Sequence, residues 1–523
     1  MRAADGAELC DAQQAPGAVE ACGSTSAASR FANPSEYHPE TRCVADPEDD
    51  RLREECGVFG IMGHPDAAAM TALGLHALQH RGQEACGIAT FGGGQFQSER
   101  RLGLVGDAFN RQDVIDRLKG DIAIGHVRYS TFGGTLLRNV QPLFAELDGR
   151  GFAVAHNGNL TNAHTLRREL VRSGAIFQST SDTEVLLHLV AQSKRPRIVE
   201  RFIEGLRRIE GAYALVCVTN DMLIGARDPV GIRPLVIGRL GDAYILASET
   251  CALDIVGARF VREVENGEVV VIDRNGLQSH RPFPQRPARP CIFEFIYFAR
   301  PDSVVGGKSV HEVRRQMGIQ LSMEAPAEAD LIVPIPDSGI PAALGFSGHS
   351  GIPFDFGIIR NRYVGRTFIE PEQQIRALGV KLKHSANAAL IRGKRIVLID
   401  DSIVRGTTSM KLVSLMREAG AREVHMRIAC PQIKHGDYYG IDTPKRTELL
   451  AATRTVEEMR EFITADSLAF LSVNGLYRAM GHVERDDVMP QYTDHCFTGE
   501  YPTVLTDLHG ESVQQLSLLS EVR

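Results

Sequence analysis

The chain has 523 residues, 43 % hydrophobic and 24 % charged, enough for roughly two to four domains with sizeable cores. Its net charge of −7 argues against a general nucleic-acid binder, which carries a basic excess, and no run approaches the ~18 apolar residues that span a bilayer. The start, MRAADGAELCDAQQAPG, lacks the basic-then-apolar pattern of a secretion signal, so a cytoplasmic location with reduced thiols is expected for the ten cysteines, none of them in a CxxC pair.

Residues 1–50, rich in Ala, Ser, Glu, Asp and Pro with little periodicity, are expected to be disordered. Order is expected to begin at Cys56-Gly57-Val58-Phe59-Gly60-Ile61-Met62-Gly63, a glycine-punctuated apolar run that suits a buried strand. A helix is predicted over Asp66–His80, capped by Asp66, with Met70, Leu73, Ala77 and Leu78 as its apolar face. Short strands follow at Ile122–Val127, Gly151–Ala155, Ala212–Val218, Ala243–Ala247 and Val269–Ile272, the pattern of stacked antiparallel sheets. Pro282, Pro284, Pro287 and Pro290 mark a linker or domain edge. Beyond it, a strand at Leu331–Pro334, a helix starting over Ile340–Gly345, a strand at Arg395–Ile399, a helix at Ser409–Ala419 and a strand at Val424–Ala429 imply a parallel sheet with helices on both faces. After Asp466 one helical stretch precedes a polar tail.

Cys56 stands at the junction between the leader and the folded start. A cut before it would leave one residue with a thiol and a free α-amine, whose ordinary pKa of about 7.7–8.0 lets it take the thiol proton near neutral pH. Cys56-Gly57-Val58-Phe59-Gly60 is followed by His80-Arg81-Gly82, Gly87, Gly125-His126-Val127-Arg128-Tyr129-Ser130-Thr131, His156-Asn157-Gly158-Asn159 and Ser181-Asp182-Thr183-Glu184. In these motifs and their order, residues 56–281 resemble the class-II (N-terminal nucleophile) glutamine amidotransferases. The resemblance implies Cys56 as nucleophile, Asn157 and the Gly158 N–H as donors to the tetrahedral oxyanion, and Arg128 and Asp182 as partners of the glutamine α-carboxylate and α-ammonium. Asp182 also suits a helix cap.

A second constellation begins with the apolar strand at Arg395 and runs into Asp400-Asp401-Ser402-Ile403-Val404-Arg405-Gly406-Thr407-Thr408-Ser409. Hydroxyls, a glycine and free N–H groups at a helix start make an anion site. Two carboxylates at the carboxyl end of a parallel strand lie where open α/β sheets bind ligands, and suit ribose hydroxyls or Mg²⁺. The stretch resembles the phosphoribosyl diphosphate (PRPP) loop of type I phosphoribosyltransferases. The resemblance implies PRPP contacts from Asp400, Asp401, Ser402, Val404, Arg405, Gly406, Thr407 and Thr408. It implies a pyrophosphate loop with Asp337 and Ser338, a mobile loop with Arg362 and Tyr363, and Mg²⁺ at Ser338, Asp400 and Asp401.

The two halves in this order, with Arg227-Asp-Pro-Val-Gly-Ile-Arg-Pro234 and Phe295-Ile-Tyr-Phe-Ala-Arg300-Pro-Asp-Ser303, resemble the glutamine phosphoribosylpyrophosphate amidotransferases over about residues 54–502. The implied fold is an αββα N-terminal-nucleophile sandwich followed by an α/β type I phosphoribosyltransferase domain with a parallel sheet. The expected divisions are a leader or propeptide at 1–55, a glutaminase domain at 56–285, a phosphoribosyltransferase domain at 286–470 and a helical extension and tail at 471–523. Ammonia from glutamine would displace pyrophosphate from PRPP and give 5-phosphoribosylamine, the first committed step of purine synthesis. Purine nucleotide inhibitors and a homo-oligomer are implied; nucleic-acid and membrane partners are not.

Many relatives hold a [4Fe–4S] cluster on four cysteines. Here Cys291 and Cys496 match two such positions, while the region of Gly436-Asp437 has no cysteine and Cys496 lacks a CxxC partner. No iron–sulfur cluster is expected. Another class-II amidotransferase would lack the Asp400-Asp401 loop. A PRPP-sensing regulator would have no use for the Cys56, Arg128, Asn157 and Asp182 set.

Overall fold

The computed structural model describes residues 56–129, 136–361 and 384–509. The expected leader, Ser130 and Thr131, and the mobile-loop residues Arg362 and Tyr363 lie outside the described residues.

The first half is built on thirteen strands: β1 Gly57–Met62, β2 Ala85–Gly92, β3 Gln95–Leu102, β4 Ile122–Arg128, β5 Leu143–Leu147, β6 Arg150–Leu160, β7 Gly211–Val218, β8 Leu223–Arg227, β9 Val236–Leu240, β10 Ala243–Ala247, β11 Arg259–Glu263, β12 Val269–Asp273 and β13 Gly276–His280. They form two antiparallel sheets, ordered β11-β9-β10-β1-β4-β2-β3 and β13-β12-β8-β7-β6-β5. Alternation decides which side chains meet between them. Val58, Ile122 and Ile124 join Ala155, Ala214 and Val216 in one shared core. The outer face of the first sheet packs on helix Ala67–Ala77 through Phe59, Ile61 and Leu75. That of the second packs on helices Ala163–Arg172, Thr183–Gln192 and Ile198–Leu206 through Phe152, Leu186 and Phe202. The four-layer αββα sandwich expected from the sequence is the result.

The first helix departs from expectation. It ends at Ala77 and is followed by a separate tight turn, Gln79–Arg81. Asp66 makes no side-chain cap; its backbone N–H instead donates to His64 Nδ1 at 3.1 Å. The buried face is Ala67, Ala68, Thr71, Gly74, Leu75 and Ala77, whereas Leu73 is 43 % exposed. Gly74 turns the helix this way, because a Cβ there would lie 2.3 Å from the Phe59 ring.

The second half carries a four-stranded parallel sheet, in the order Leu331–Pro334, Arg395–Asp400, Glu423–Ile428, Ser467–Phe470. Leu331–Pro334 and Arg395–Asp400 carry unbroken apolar runs, as strands buried on both faces do, whereas Glu423–Ile428 is apolar only at alternate positions. Ser467–Phe470 falls where the sequence suggested only a helical stretch; four residues are too few to show a period. The following helix is Val473–Ala479.

The last described segment returns to the first half. Asn162 precedes helix Ala163–Arg172 without capping it. Asp507 does so from a distance of over 340 residues, accepting from His164 N at 2.7 Å and Thr165 N at 3.0 Å.

Candidate active site

Cys56 sits immediately before β1, in the centre of the first sheet, with its Sγ 3.8 Å from the Tyr129 carbonyl at the end of β4. Burial pushes its thiol above the ordinary value, and Arg128 pulls it only part of the way back. The thiol therefore needs a base beside it. Arg128 and Asp182 both act electrostatically on Cys56, so the structure brings three of the expected residues together.

Arg128 ends β4, is almost wholly buried, and donates to the Asn139 carbonyl. Desolvation lowers its pKa, which favours an arriving carboxylate partner. Gly82 packs flat on its backbone: a Cβ there would lie 2.6 Å from Arg128 N.

Asn157 and Gly158 lie on β6. Asn157 is fully buried, its Nδ2 is 3.5 Å from Ser248 Oγ, and its Oδ1 has no hydrogen-bond partner. Gly158 has φ +134°, and a Cβ would fall 2.1 Å from the Ala212 carbonyl, so only glycine fits. Asp182 caps the helix through Oδ1, which accepts from Thr183 N at 2.8 Å, while Oδ2 accepts from Leu160 N at 3.0 Å, beside the Asn157-Gly158 pair.

Sequence reasoning missed Ser248 and Gln141. Ser248 Oγ accepts from Val58 N at 2.9 Å and so joins the Cys56 strand to Asn157. Gln141 Oε1 accepts from His156 N at 2.8 Å, fixing the start of the His156-Asn157-Gly158 run. Both act across distant chain positions, and no local pattern announces either.

In the second half, Asp400 and Asp401 are buried at the carboxyl end of the central strand. Asp400 Oδ1 accepts from Asp401 N at 3.0 Å, and Asp401 Oδ1 from Ser402 Oγ at 2.5 Å. Gly406, at φ +80°, opens helix Thr407–Glu418. The Ser338 Oγ and Thr407 Oγ1 atoms are buried without hydrogen-bond partners, as ligand-binding hydroxyls awaiting an acceptor would be. Thr408 lies in the first turn of that helix. Three expected residues are placed differently from a simple side-chain contact. Val404 buries its side chain in the core, and its carbonyl accepts from Leu450 N at 2.8 Å. Arg405 pairs with Glu448 Oε2 at 3.0 Å. Asp337 receives Arg360 Nη1 at 2.8 Å.

Residues 126–254 match the glutamine amidotransferase domain family, and residues 307–447 match the phosphoribosyl transferase domain family. An amidophosphoribosyltransferase from Rhizobium etli is 60 % identical over 483 residues, covering 91 % of this chain and 97 % of that one. One from Bacillus subtilis is 48 % identical over 453 residues, covering 86 % of this chain and 95 % of that one. The solved B. subtilis glutamine PRPP amidotransferase, complexed with ADP and GMP, superposes with a TM-score of 0.82 at 47 % identity, covering 86 % of this chain and 98 % of that one. The chain belongs to the amidophosphoribosyltransferase family.

Amidophosphoribosyltransferases are glutamine-dependent pentosyltransferases that catalyse the first step of purine biosynthesis. The order of glutaminase half and phosphoribosyltransferase half, legible in the sequence, is the family's. No helix among the described residues is long and apolar enough to cross a membrane.

Two buried features of this amidophosphoribosyltransferase support its sites. His126 is fully buried with Nε2 3.1 Å from the His156 carbonyl; burial, reinforced by Arg128, pushes its pKa down to about 3. An unfolded ring titrates near 6.5. Its contribution to stability is therefore complete above about 6.5 and is lost as pH falls toward 3. Going from pH ~7.5 to ~5.5 will cost about 1.4 kcal/mol through this ring. A His126→Asn variant will lack that loss, and unfolding midpoints of both proteins at the two pH values check it.

The second feature surrounds Cys291 and Cys496. Both are buried, with Asp437, His495 and Thr493 around them. Two thiols do not satisfy a four-thiolate cluster. Asp437, His495 and Cys496 do place one ligand atom each within 4.8 Å of one another.

Proposed function

We propose that Cys56, exposed by a cut after Glu55, is the nucleophile that supplies ammonia to PRPP bound at Asp400 and Asp401. The α-amine takes the thiol proton, and the thiolate attacks the glutamine carboxamide. Asn157 Nδ2 and the Gly158 N–H donate to the oxyanion, an effect typically worth ~10²–10³ in rate per donor. Collapse expels ammonia and leaves a Cys56 thioester, which water hydrolyses to glutamate. Arg128 holds the α-carboxylate and Asp182 the α-ammonium. The observation that carries this reading is the gathering of Arg128 and Asp182 around a part-buried Cys56 thiol whose strand is tied through Ser248 to Asn157.

In the second half, the helix start at Ser402–Thr408 takes the 5′-phosphate, and Asp337 and Ser338 face the pyrophosphate. Arg362 and Tyr363 close over it. Ammonia forms the bond to C1 as the C1–pyrophosphate bond breaks. The oxygen donors Asp400, Asp401 and Ser338 fit Mg²⁺, a hard ion, which when bound supplies positive charge to the departing pyrophosphate. Replacing Asp400 and Asp401 with asparagine will lower phosphoribosylamine formation by about 10²–10³, whether the nitrogen comes from glutamine or from added ammonia. Unchanged ammonia-dependent synthesis would place PRPP elsewhere.

Intact-mass and N-terminal analysis of active protein tests the cut: the mature chain should begin at Cys56, and an active chain still beginning at Met1 would contradict the reading. Purine nucleotide inhibition and assembly into a homo-oligomer belong to the same proposal; the ADP and GMP on the B. subtilis relative support the first. A cytoplasmic location also belongs to it, in keeping with the seven free cysteines among the described residues.

A further inference from the structure

The place where relatives' cluster cysteines would be expected is not simply refilled with apolar side chains. Asp437 and His495 have side chains 0 % and 1 % exposed, and Cys496 is equally buried. His495 Nε2 lies 2.7 Å from Asp437 Oδ1 and 3.4 Å from Cys496 Sγ. The backbone fixes the carboxylate: its Oδ2 accepts from Tyr439 N and Ile441 N, both at 2.7 Å. Oδ1 lies against His495 Nε2, out of hydrogen-bond alignment with it, and beside the thiol. The Tyr501 and Tyr439 rings hold His495 at 4.8 and 5.1 Å between centroids. A buried carboxylate is costly in such a place unless a cation pairs with it.

We propose that Asp437, His495 and Cys496 form a buried site for one divalent ion of the zinc class. Carboxylate, imidazole and thiolate are the three donor types that zinc accepts together, and a borderline-soft ion prefers this mixture where Mg²⁺ does not. The charges suit: a carboxylate and a thiolate balance a divalent ion. Arg233, the cation that acts on Asp437 and Cys496, is occupied by Glu294 and the Tyr439 carbonyl. Cys291 lies within electrostatic reach of Cys496 and is the thiol placed to approach as a further ligand.

The ion would brace the loop that joins the two halves. Between Asp437 and Ile441, the Tyr438 carbonyl accepts from Asn159 at 3.0 Å and the Tyr439 carbonyl from Arg233 at 3.0 Å. Asn159 follows the Asn157-Gly158 pair directly, so the site stands one hydrogen bond from the glutaminase strand.

The test uses the full processed chain in excess Mg²⁺, which fills oxygen-only sites. It is loaded with Zn²⁺ or Co²⁺ alone and then desalted. Elemental analysis should find about one zinc per chain. The cobalt protein should show a thiolate-to-metal charge-transfer band that disappears in Cys496→Ser and Asp437→Asn. Less than about a tenth of an equivalent of zinc with no cobalt band in the unmodified chain would overturn the proposal, and this arm needs no variant to fold. A band that survives Cys496→Ser, or iron and sulfide at the stoichiometry of a cluster, would overturn it equally.

Discussion

Replacing Cys56 with alanine will reduce glutamine-dependent phosphoribosylamine formation by at least about 10⁴-fold and leave ammonia-dependent formation within about twofold. The asymmetry follows from the division of labour. In the proposed mechanism the thiol breaks only the amide bond of glutamine, and its replacement removes the covalent path altogether. Added ammonia enters the reaction after that step, at a phosphoribosyltransferase site built on a separate sheet from residues 331–470. Glutamate and pyrophosphate release, measured side by side with each nitrogen source, give the result. Equal loss with both sources would show that Cys56 matters to the fold rather than to amide cleavage. A raised thiol pKa sharpens the expectation for Cys56→Ser as well, since a buried hydroxyl is a poorer nucleophile still.

Arg81→Met will destabilise the protein by about 3–5 kcal/mol. The Arg81 guanidinium is fully buried and pairs with both Glu249 and Glu294. Glu249 also takes His80 Nε2 at 2.7 Å, Arg300 N at 2.9 Å and Ser303 Oγ at 2.7 Å. Glu294 receives Arg233 Nη1 at 3.5 Å, and Arg233 reaches the Tyr439 carbonyl. Removing the central cation leaves two buried carboxylates without their main partner. Burial alone would raise the Glu249 carboxyl, but Arg81 and His80 outweigh it and hold it well below the usual range. A depressed carboxylate contributes stability above its unfolded value, about 4.3, and loses it as pH falls toward the folded value. Without Arg81 the sign reverses: a raised carboxyl is better tolerated in acid. The gap between the two proteins will therefore narrow as pH falls from about 7 to about 5, which thermal midpoints of both at each pH will show. The double variant with Glu249→Gln should regain part of the loss, since Glu249 then carries no unpaired charge and Glu294 keeps Arg233 as its partner.

These two experiments separate what was legible from what was not. Cys56 and the residues Arg128, Asn157, Gly158 and Asp182 stood out because chemistry needs rare residue types in fixed local settings, and each sits in a short motif. The strands Leu331–Pro334 and Arg395–Asp400 stood out because burial on both faces demands an unbroken apolar run. The carboxylates and helix start that follow were legible for the same local reason. The face of helix Ala67–Ala77 was legible only in part: Ala77 and Leu78 are buried and Met70 packs on the core, but Gly74 yields to the Phe59 ring of another element, and Leu73 turns outward. Nor was it legible that the second oxygen of Asp182 would accept from Leu160 N, far from the helix that its first oxygen caps.

By itself, then, the sequence determined the two halves, their order, and the candidates for nucleophile and PRPP loop, because strand periodicity and catalytic motifs are written over a few consecutive residues. Only the tertiary structure decided the supports. Arg81 meets Glu249 from 168 residues away and Glu294 from 213, Ser248 links Val58 to Asn157, and Asp507 caps a helix at Ala163. Asp437, His495 and Cys496 converge from two distant segments on one buried point. Such partners are selected by desolvation: a buried charge or N–H must find its complement wherever the folded chain supplies one, and no local pattern records where that is.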